Sequence, residues 1–240
     1  MRVAVLAGIR GGAGTTSVVA MLGEALHALG QRVLMADLGP SDLLRLHFNV
    51  PYADRHGWTA AGAPRDWRRQ TFEAAPGLCL TPFGPGAGDV WGVDHGARAE
   101  AFWLDVLADS SLDADWVIFD CAPEAWMPVP ALRARSSLDV LVAPPDAAAH
   151  VLLARHGLAG GRWLLVNGLD PSGTLAGDIV VDWRRRHGER VVPVVIPRDE
   201  SVHEALALKT TVARRMPDAA ASDAARSLAL WCLAARPGGA

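Results

Sequence analysis

Lysine is almost absent from this chain: of its 23 basic residues 22 are arginine, and the single lysine is Lys209. Cysteine is scarce too. Cys79, Cys121 and Cys232 are widely spaced and odd in number, which excludes a disulfide framework and fits a reduced compartment. The eight histidines form no His-x-x-His or His-x-x-x-His pair, so the spacing offers no zinc site. No apolar stretch approaches the ~20 residues that a bilayer crossing needs. The N-terminus enters an apolar run at once, without the pattern of a secretory signal. A formal charge of -3 argues against a dedicated nucleic-acid binder. These absences together predict a soluble, cytoplasmic protein.

What the chain has is a regular alternation. Short apolar runs at Val3–Ala7, Arg32–Ala36, Leu78–Thr81, Trp116–Phe119, Asp139–Val142, Trp163–Val166 and Val191–Ile196 read as strands. Helix-like segments lie between most of them, such as Ala97–Ala108, Ala147–His156 and Leu175–Arg186. This predicts a doubly wound α/β fold, a mostly parallel sheet with helices on both faces, in a single domain over residues 1–240. Pro193 marks its run as an edge strand or an irregular one. The stretch from about Phe48 to Asp94 is richer in glycine and proline, includes Gly84-Pro85-Gly86-Ala87-Gly88, and reads as long loops around a short strand near Leu80. Arg236 to Ala240 reads as a frayed tail.

The first apolar run feeds Gly8-Ile9-Arg10-Gly11-Gly12-Ala13-Gly14-Thr15-Thr16-Ser17, and a helix-like segment from Thr16 to Leu29 follows. Strand, glycine-rich loop and helix in that order form a phosphate-binding context. Glycines let backbone N–H groups converge on phosphate oxygens at a helix N-terminus. The usual ending, Gly-Lys-Ser/Thr, is missing its lysine, because Gly14 is followed by Thr15. Two acidic residues end later strands: Asp37 after Val33–Ala36, and Asp120 after Trp116–Phe119. A carboxylate there can hold Mg²⁺ beside the hydroxyl of Thr16.

Arg10-Gly11-Gly12-Ala13-Gly14-Thr15-Thr16 resembles the deviant Walker A loop of the ParA/MinD ATPases. More closely, the chain resembles the BcsQ (YhjQ) family, the ParA/MinD-like proteins of bacterial cellulose-synthesis operons. The stretches that carry this likeness are Leu43–Val50, Arg55–Trp58, Asp66–Arg68, Pro82–Gly84, Arg198–Glu200 and Trp231–Leu233. The resemblance implies a phosphate site of Gly11, Gly12, Ala13, Gly14, Thr15, Thr16 and Ser17, with Thr16 and Asp120 on Mg²⁺. It implies that Arg10 stands where the family's signature lysine reaches the partner's nucleotide in an ATP-sandwiched homodimer, a role that arginine's charge and fork preserve. It also implies that Asn167 meets the base and that Pro197, Arg198 and Asp199 lie near base or ribose. In the family an Asp-x-Asp follows the second strand and its second Asp positions the attacking water. Here the motif reads Asp37-Leu38-Gly39, which leaves Asp37 as the candidate catalytic residue and Asp42 as a possible substitute.

The resemblance implies an ATP-binding regulatory protein with slow or absent hydrolysis that supports assembly, localisation or activity of the membrane cellulose synthase. Partners would be subunits of the synthase secretion complex and a small accessory protein, with recruitment to the inner membrane through them. Neither DNA binding nor direct membrane insertion is expected. The alternative is a hydrolytically active positioning or partitioning ATPase that binds DNA nonspecifically. Trp183-Arg184-Arg185-Arg186-His187-Gly188 is the densest basic run and reads as a solvated helix end closed by Gly188. The segment from Ala219 to Leu233 offers mainly alanines on one face and reads as a helix packed on the domain. Trp58, Trp67 and Trp91 fit partner anchors and residues buried under loops equally well.

Overall fold

The computed structural model describes residues 1–60, 66–85, 93–123 and 128–235. Within them one sheet is built from β1 (Arg2–Gly8), β2 (Val33–Asp37), β3 (Phe72–Ala75), β4 (Leu78–Thr81), β5 (Trp116–Cys121), β6 (Leu138–Ala143), β7 (Trp163–Leu169) and β8 (Val191–Pro197). The strand order is β3-β4-β2-β5-β1-β6-β7-β8. All neighbours are parallel except β3, which runs antiparallel to β4. The helices are α1 (Thr15–Ala28), α2 (Val93–Ala108), α3 (Pro130–Arg135), α4 (Ala147–His156), α5 (Thr174–His187), α6 (Glu200–Ala207), α7 (Val212–Arg215) and α8 (Ala220–Ala234).

The inner strands read as unbroken apolar runs because helices cover both of their faces. Side chains alternate across each strand, so Ala4 and Leu6 enter one core with residues of α1 and α8. Val3, Val5 and Ala7 enter a second core with α2 and α3. A third cluster packs α4 and α5 over β6 and β7, with Trp183 at its centre. Helix α1 lies tight on β2 because Gly23 has no side chain: a Cβ there would stand 2.3 Å from Met35 Sδ. At its far end Gly30 takes φ 82 and its N–H reaches the His27 carbonyl at 2.9 Å, a left-handed stop that satisfies a helix carbonyl.

Every strand expected from the sequence is present, and the chain adds one more, β3. This strand forms a hairpin with β4 through Pro76-Gly77, where Gly77 takes φ 82. Pro193 lies on β8, the sheet's edge, where it needs no ladder partner for a missing N–H. The pairing there is irregular as well: Leu164 opposes Val191, whereas Val166 opposes Val195. The basic run ends α5 with Arg184, Arg185 and Arg186 exposed, Arg186 ion-paired to Asp182 at 2.7 Å, and Gly188 at the C-cap. Helix α8 buries Ala221, Ala225, Leu228 and Cys232 against the sheet. Trp58 is buried and donates its indole N–H to the Asp37 carbonyl at 2.8 Å. Trp67 is half-buried and donates to Asp109. Trp91, residues 86–88 and the expected tail at 236–240 lie outside the described residues.

Candidate functional site

The sheet order places β1 between β5 and β6, so the chain departs to opposite sides of β1, and the carboxyl ends of β1, β2 and β5 open onto one cleft. Such a switch point is where open α/β sheets bind ligands. Between β1 and α1 the backbone turns through Gly12 at φ 75 and Gly14 at φ 81, both left-handed. Gly14 is the N-cap of α1, so no side chain caps that end, and the first turn holds no acidic residue. The leading N–H groups of α1 and the positive end of its dipole are therefore left for an anion.

Gly14 is constrained twice. Besides its φ, a Cβ there would come within 2.4 Å of Asn167 Nδ2. Asn167, in β7, donates to the Ala13 carbonyl at 2.8 Å and so holds the loop from behind. Thr15 is nearly buried, and its Oγ1 would stand 2.8 Å from a Cβ on Gly8. The short side chain thus packs against the start of the loop.

Asp37 and Asp120 face each other in register on β2 and β5, both buried. Asp37 Oδ1 accepts the Gly39 N–H at 2.8 Å and its Oδ2 accepts the Leu44 N–H at 3.0 Å. Thr16 and Asp120 line the same cleft, where the threonine hydroxyl acts to lower the Asp120 carboxyl against the effect of burial. Burial pushes the Asp120 carboxyl up to about 7. Burial, reinforced by the charges of Asp120 and Asp42, holds Asp37 well above the usual carboxylate range. Two acids desolvated side by side favour a proton or a cation between them. The donors on offer, a hydroxyl and carboxylates, are hard oxygens of the kind Mg²⁺ takes. Among the described residues no three His, Cys, Asp or Glu side chains converge into a metal cage.

The cleft has a volume of about 270 Å³, and residues 10–17 form its floor. Its walls come from Gly39, Ser41, Leu43 and His47 on one side, residues 120–123 on another, and Leu206 of α6. Arg10 lies at this cleft with its guanidinium ion-paired to Asp146, the N-cap of α4, at 2.5 Å. Asn167, Pro197, Arg198 and Asp199 do not line the cleft. The Arg198 N–H bonds the Leu169 carbonyl at 2.8 Å. Asp199 caps α6 through the Ser201 N–H and accepts the Ala221 N–H, each at 3.0 Å.

Asp42 is not free to replace the water-positioning acid. It is buried, pairs with Arg45 at 2.8 Å, and accepts the N–H groups of Phe83 and Gly84 at 2.9 and 3.2 Å. Arg45, wholly buried, also donates to the carbonyls of Pro51, Asp54 and His56 at 2.9, 2.8 and 3.0 Å. The pair fixes the 3₁₀ turn Leu44–Phe48 and presents His47 to the cleft. Sequence reasoning passed His47 over, and its one signal was an imidazole between Leu46 and Phe48 in the segment Leu43–Val50. Beyond Leu206, the exposed Lys209 ends α6 in a left-handed conformation, with its N–H on the Leu206 carbonyl at 2.9 Å.

A family model described as "Cellulose biosynthesis protein BcsQ" matches residues 1–233. The BcsQ protein of Salmonella typhi is 32% identical over 241 residues, which cover 95% of this chain and 92% of that protein. Among solved structures, a ParA family ATPase from Chlorobium tepidum superposes with a TM-score of 0.76 at 17% identity, covering 95% of this chain and 98% of the other. The septum site-determining protein MinD of Pyrococcus horikoshii, complexed with Mg-ADP, gives 0.71 at 17% identity, with 96% and 95% covered. At such identities the likeness is one of fold, and that fold is the ParA/MinD type of P-loop ATPase.

Proposed function

The chain belongs to the BcsQ family of cellulose biosynthesis proteins, and on that footing we propose that it is a MgATP-binding regulatory protein of cellulose synthesis. It pairs with a second copy across bound ATP and supports assembly, placement or activity of the membrane synthase, with slow or absent hydrolysis. The observation that carries this reading is the meeting, in one cleft, of an uncapped α1 N-terminus with Asp120, whose register partner on β2 is Asp37. The leading N–H groups of α1 bind phosphate. Thr16 and Asp120 hold Mg²⁺, which when bound supplies positive charge to the phosphates.

Turnover is a different matter. Phosphoryl transfer rests on positioning and charge stabilisation, and one missing cation costs roughly 10³–10⁵ in rate. Thr15 supplies none, Gly39 cannot position water, and Asp42 is committed to Arg45. Asp37 is the remaining candidate acid, with both oxygens already accepting backbone N–H groups. In the dimer Arg10 exchanges Asp146 for the partner's nucleotide. Among the described residues no helix is long and apolar enough to cross a membrane. Recruitment to the inner membrane runs, on this reading, through synthase secretion-complex subunits and an accessory protein.

The test is to purify the chain from cells, identify any co-purified nucleotide, and measure the subunit mass on the same sample. Intact ATP in a dimer is expected. ADP in a monomer, with sustained Mg-dependent phosphate release that Asp37→Ala abolishes, would replace this reading with a hydrolytic cycle.

A further inference from the structure

His47 is the one imidazole among the residues that line this cleft. It is 4% exposed and yet lines the cleft, and its Nε2 stands 3.4 Å from the hydroxyl of Ser17, which lines the same cleft from the first turn of α1. Burial in apolar surroundings pulls the imidazole down to about 4, so it is neutral at physiological pH. Its placement is heavily determined. The turn that carries it is tied to the end of β2 by the Leu44 N–H on Asp37 and braced behind by Arg45 on four backbone carbonyls. A histidine serving only as apolar filling would not need a polar edge turned onto a cleft-lining hydroxyl.

We infer that His47 is a positioning residue of the nucleotide site, one whose neutral imidazole donates from Nε2 to Ser17 Oγ and so frees the serine proton for a phosphate oxygen. The inference rests on the MgATP reading given above and names a residue for it. A hydroxyl is both donor and acceptor. With the imidazole filling its acceptor side, its one proton is directed at the anion. In a loop whose lysine is replaced by Thr15, each remaining donor carries more of the binding. Asp37, the register partner of Asp120, accepts the Leu44 N–H, so the turn is tied to the end of β2.

The experiment measures MgATP binding by calorimetry and the melting temperature without nucleotide, on the full chain. The variants are His47→Phe, His47→Gln and Ser17→Ala, with the two double variants. His47→Phe keeps the ring and loses the nitrogen, and it is expected to weaken MgATP about 12- to 150-fold, the loss typical of one hydrogen bond that serves a charged group. Its melting temperature without nucleotide should match the wild type. His47→Gln, which keeps a side-chain N–H, should stay within about 3-fold of the wild type. Ser17→Ala and Ser17→Ala with His47→Phe should be equally weak, because the imidazole acts through the hydroxyl. Equal affinities for Phe and Gln, or losses that multiply in the double variant, overturn the inference. Should His47→Phe fail to fold, His47→Leu takes its place in the same comparison. A wild type that binds no MgATP overturns the reading of the whole site. A wild type that binds, with His47→Phe binding as tightly, overturns the role of His47 alone.

Discussion

Replacing Arg45 by leucine should destabilise this protein more than almost any other single change outside the apolar core. The guanidinium is wholly buried, pairs with Asp42 at 2.8 Å and donates to the carbonyls of Pro51, Asp54 and His56. Leucine leaves the Asp42 carboxylate buried without its cation, and a buried ion pair broken in this way costs about 3–5 kcal/mol. For a domain of this size each kcal/mol is worth about 2–4 °C of melting temperature, so scanning calorimetry should record a drop of about 6–20 °C. Adding Asp42→Asn removes the stranded charge while keeping an acceptor for the Phe83 N–H, and asparagine tolerates the φ of 51 found at that position. The double variant should therefore recover part of the loss. An Arg45→Leu protein within about 1 kcal/mol of the wild type, or a double variant less stable than the single, would refute the view that charge pairing braces this segment.

Three further outcomes follow from the cleft. Burial has raised the Asp120 carboxyl to about 7, so its contribution to stability is complete below the ordinary carboxylate value of about 4 and is lost as pH rises through about 7. In EDTA the wild type should lose melting temperature across that window, Asp120→Asn should show a shallower slope, and identical slopes would dismiss the argument. Thr15→Lys returns a unit charge to the loop, worth on the order of 4 kcal/mol at ~4 Å and an effective dielectric of ~20 before desolvation. MgATP affinity should rise at least about tenfold with turnover still slow because of Gly39, and an unchanged dissociation constant would count against it. Gly14→Ala forces a left-handed alanine, at a cost of roughly 1–2 kcal/mol, and drives its Cβ into Asn167. Both melting temperature and nucleotide affinity should fall, and an effect on neither would show that the loop does not need that shape.

The parts of this molecule that were legible in its sequence are those where one local pattern has one physical cause. Strands buried on both faces read as runs such as Val3–Ala7 and Trp116–Phe119 because nothing polar is tolerated there. Asp37 and Asp120 were legible because a carboxylate at the end of such a run stands out. Strand β3 was not: Phe72–Ala75 is short and half-exposed, with two alanines, and its pairing depends on a hairpin signalled only by Pro76-Gly77. The fate of Asp42 and the aim of His47 were hidden for a different reason. Both are decided by Arg45, whose buried position emerges only when carbonyls at 51–56 and amides at 83–84 converge on it and on Asp42. Asn167 was singled out only by the family resemblance, and its hydrogen bond to Ala13 joins β7 to the loop that follows β1, which leaves no local trace.

The scarcity of lysine gives the chain a practical property. Reagents that seek side-chain amines find one address among its residues, Lys209. Lys209 is hydrogen-bonded through its backbone to Leu206, a wall of the cleft at the carboxyl ends of the strands. A dye coupled at Lys209 would need no engineered cysteine, and the three native thiols would be left untouched. Its emission would follow the approach of a ligand or a second subunit to the cleft.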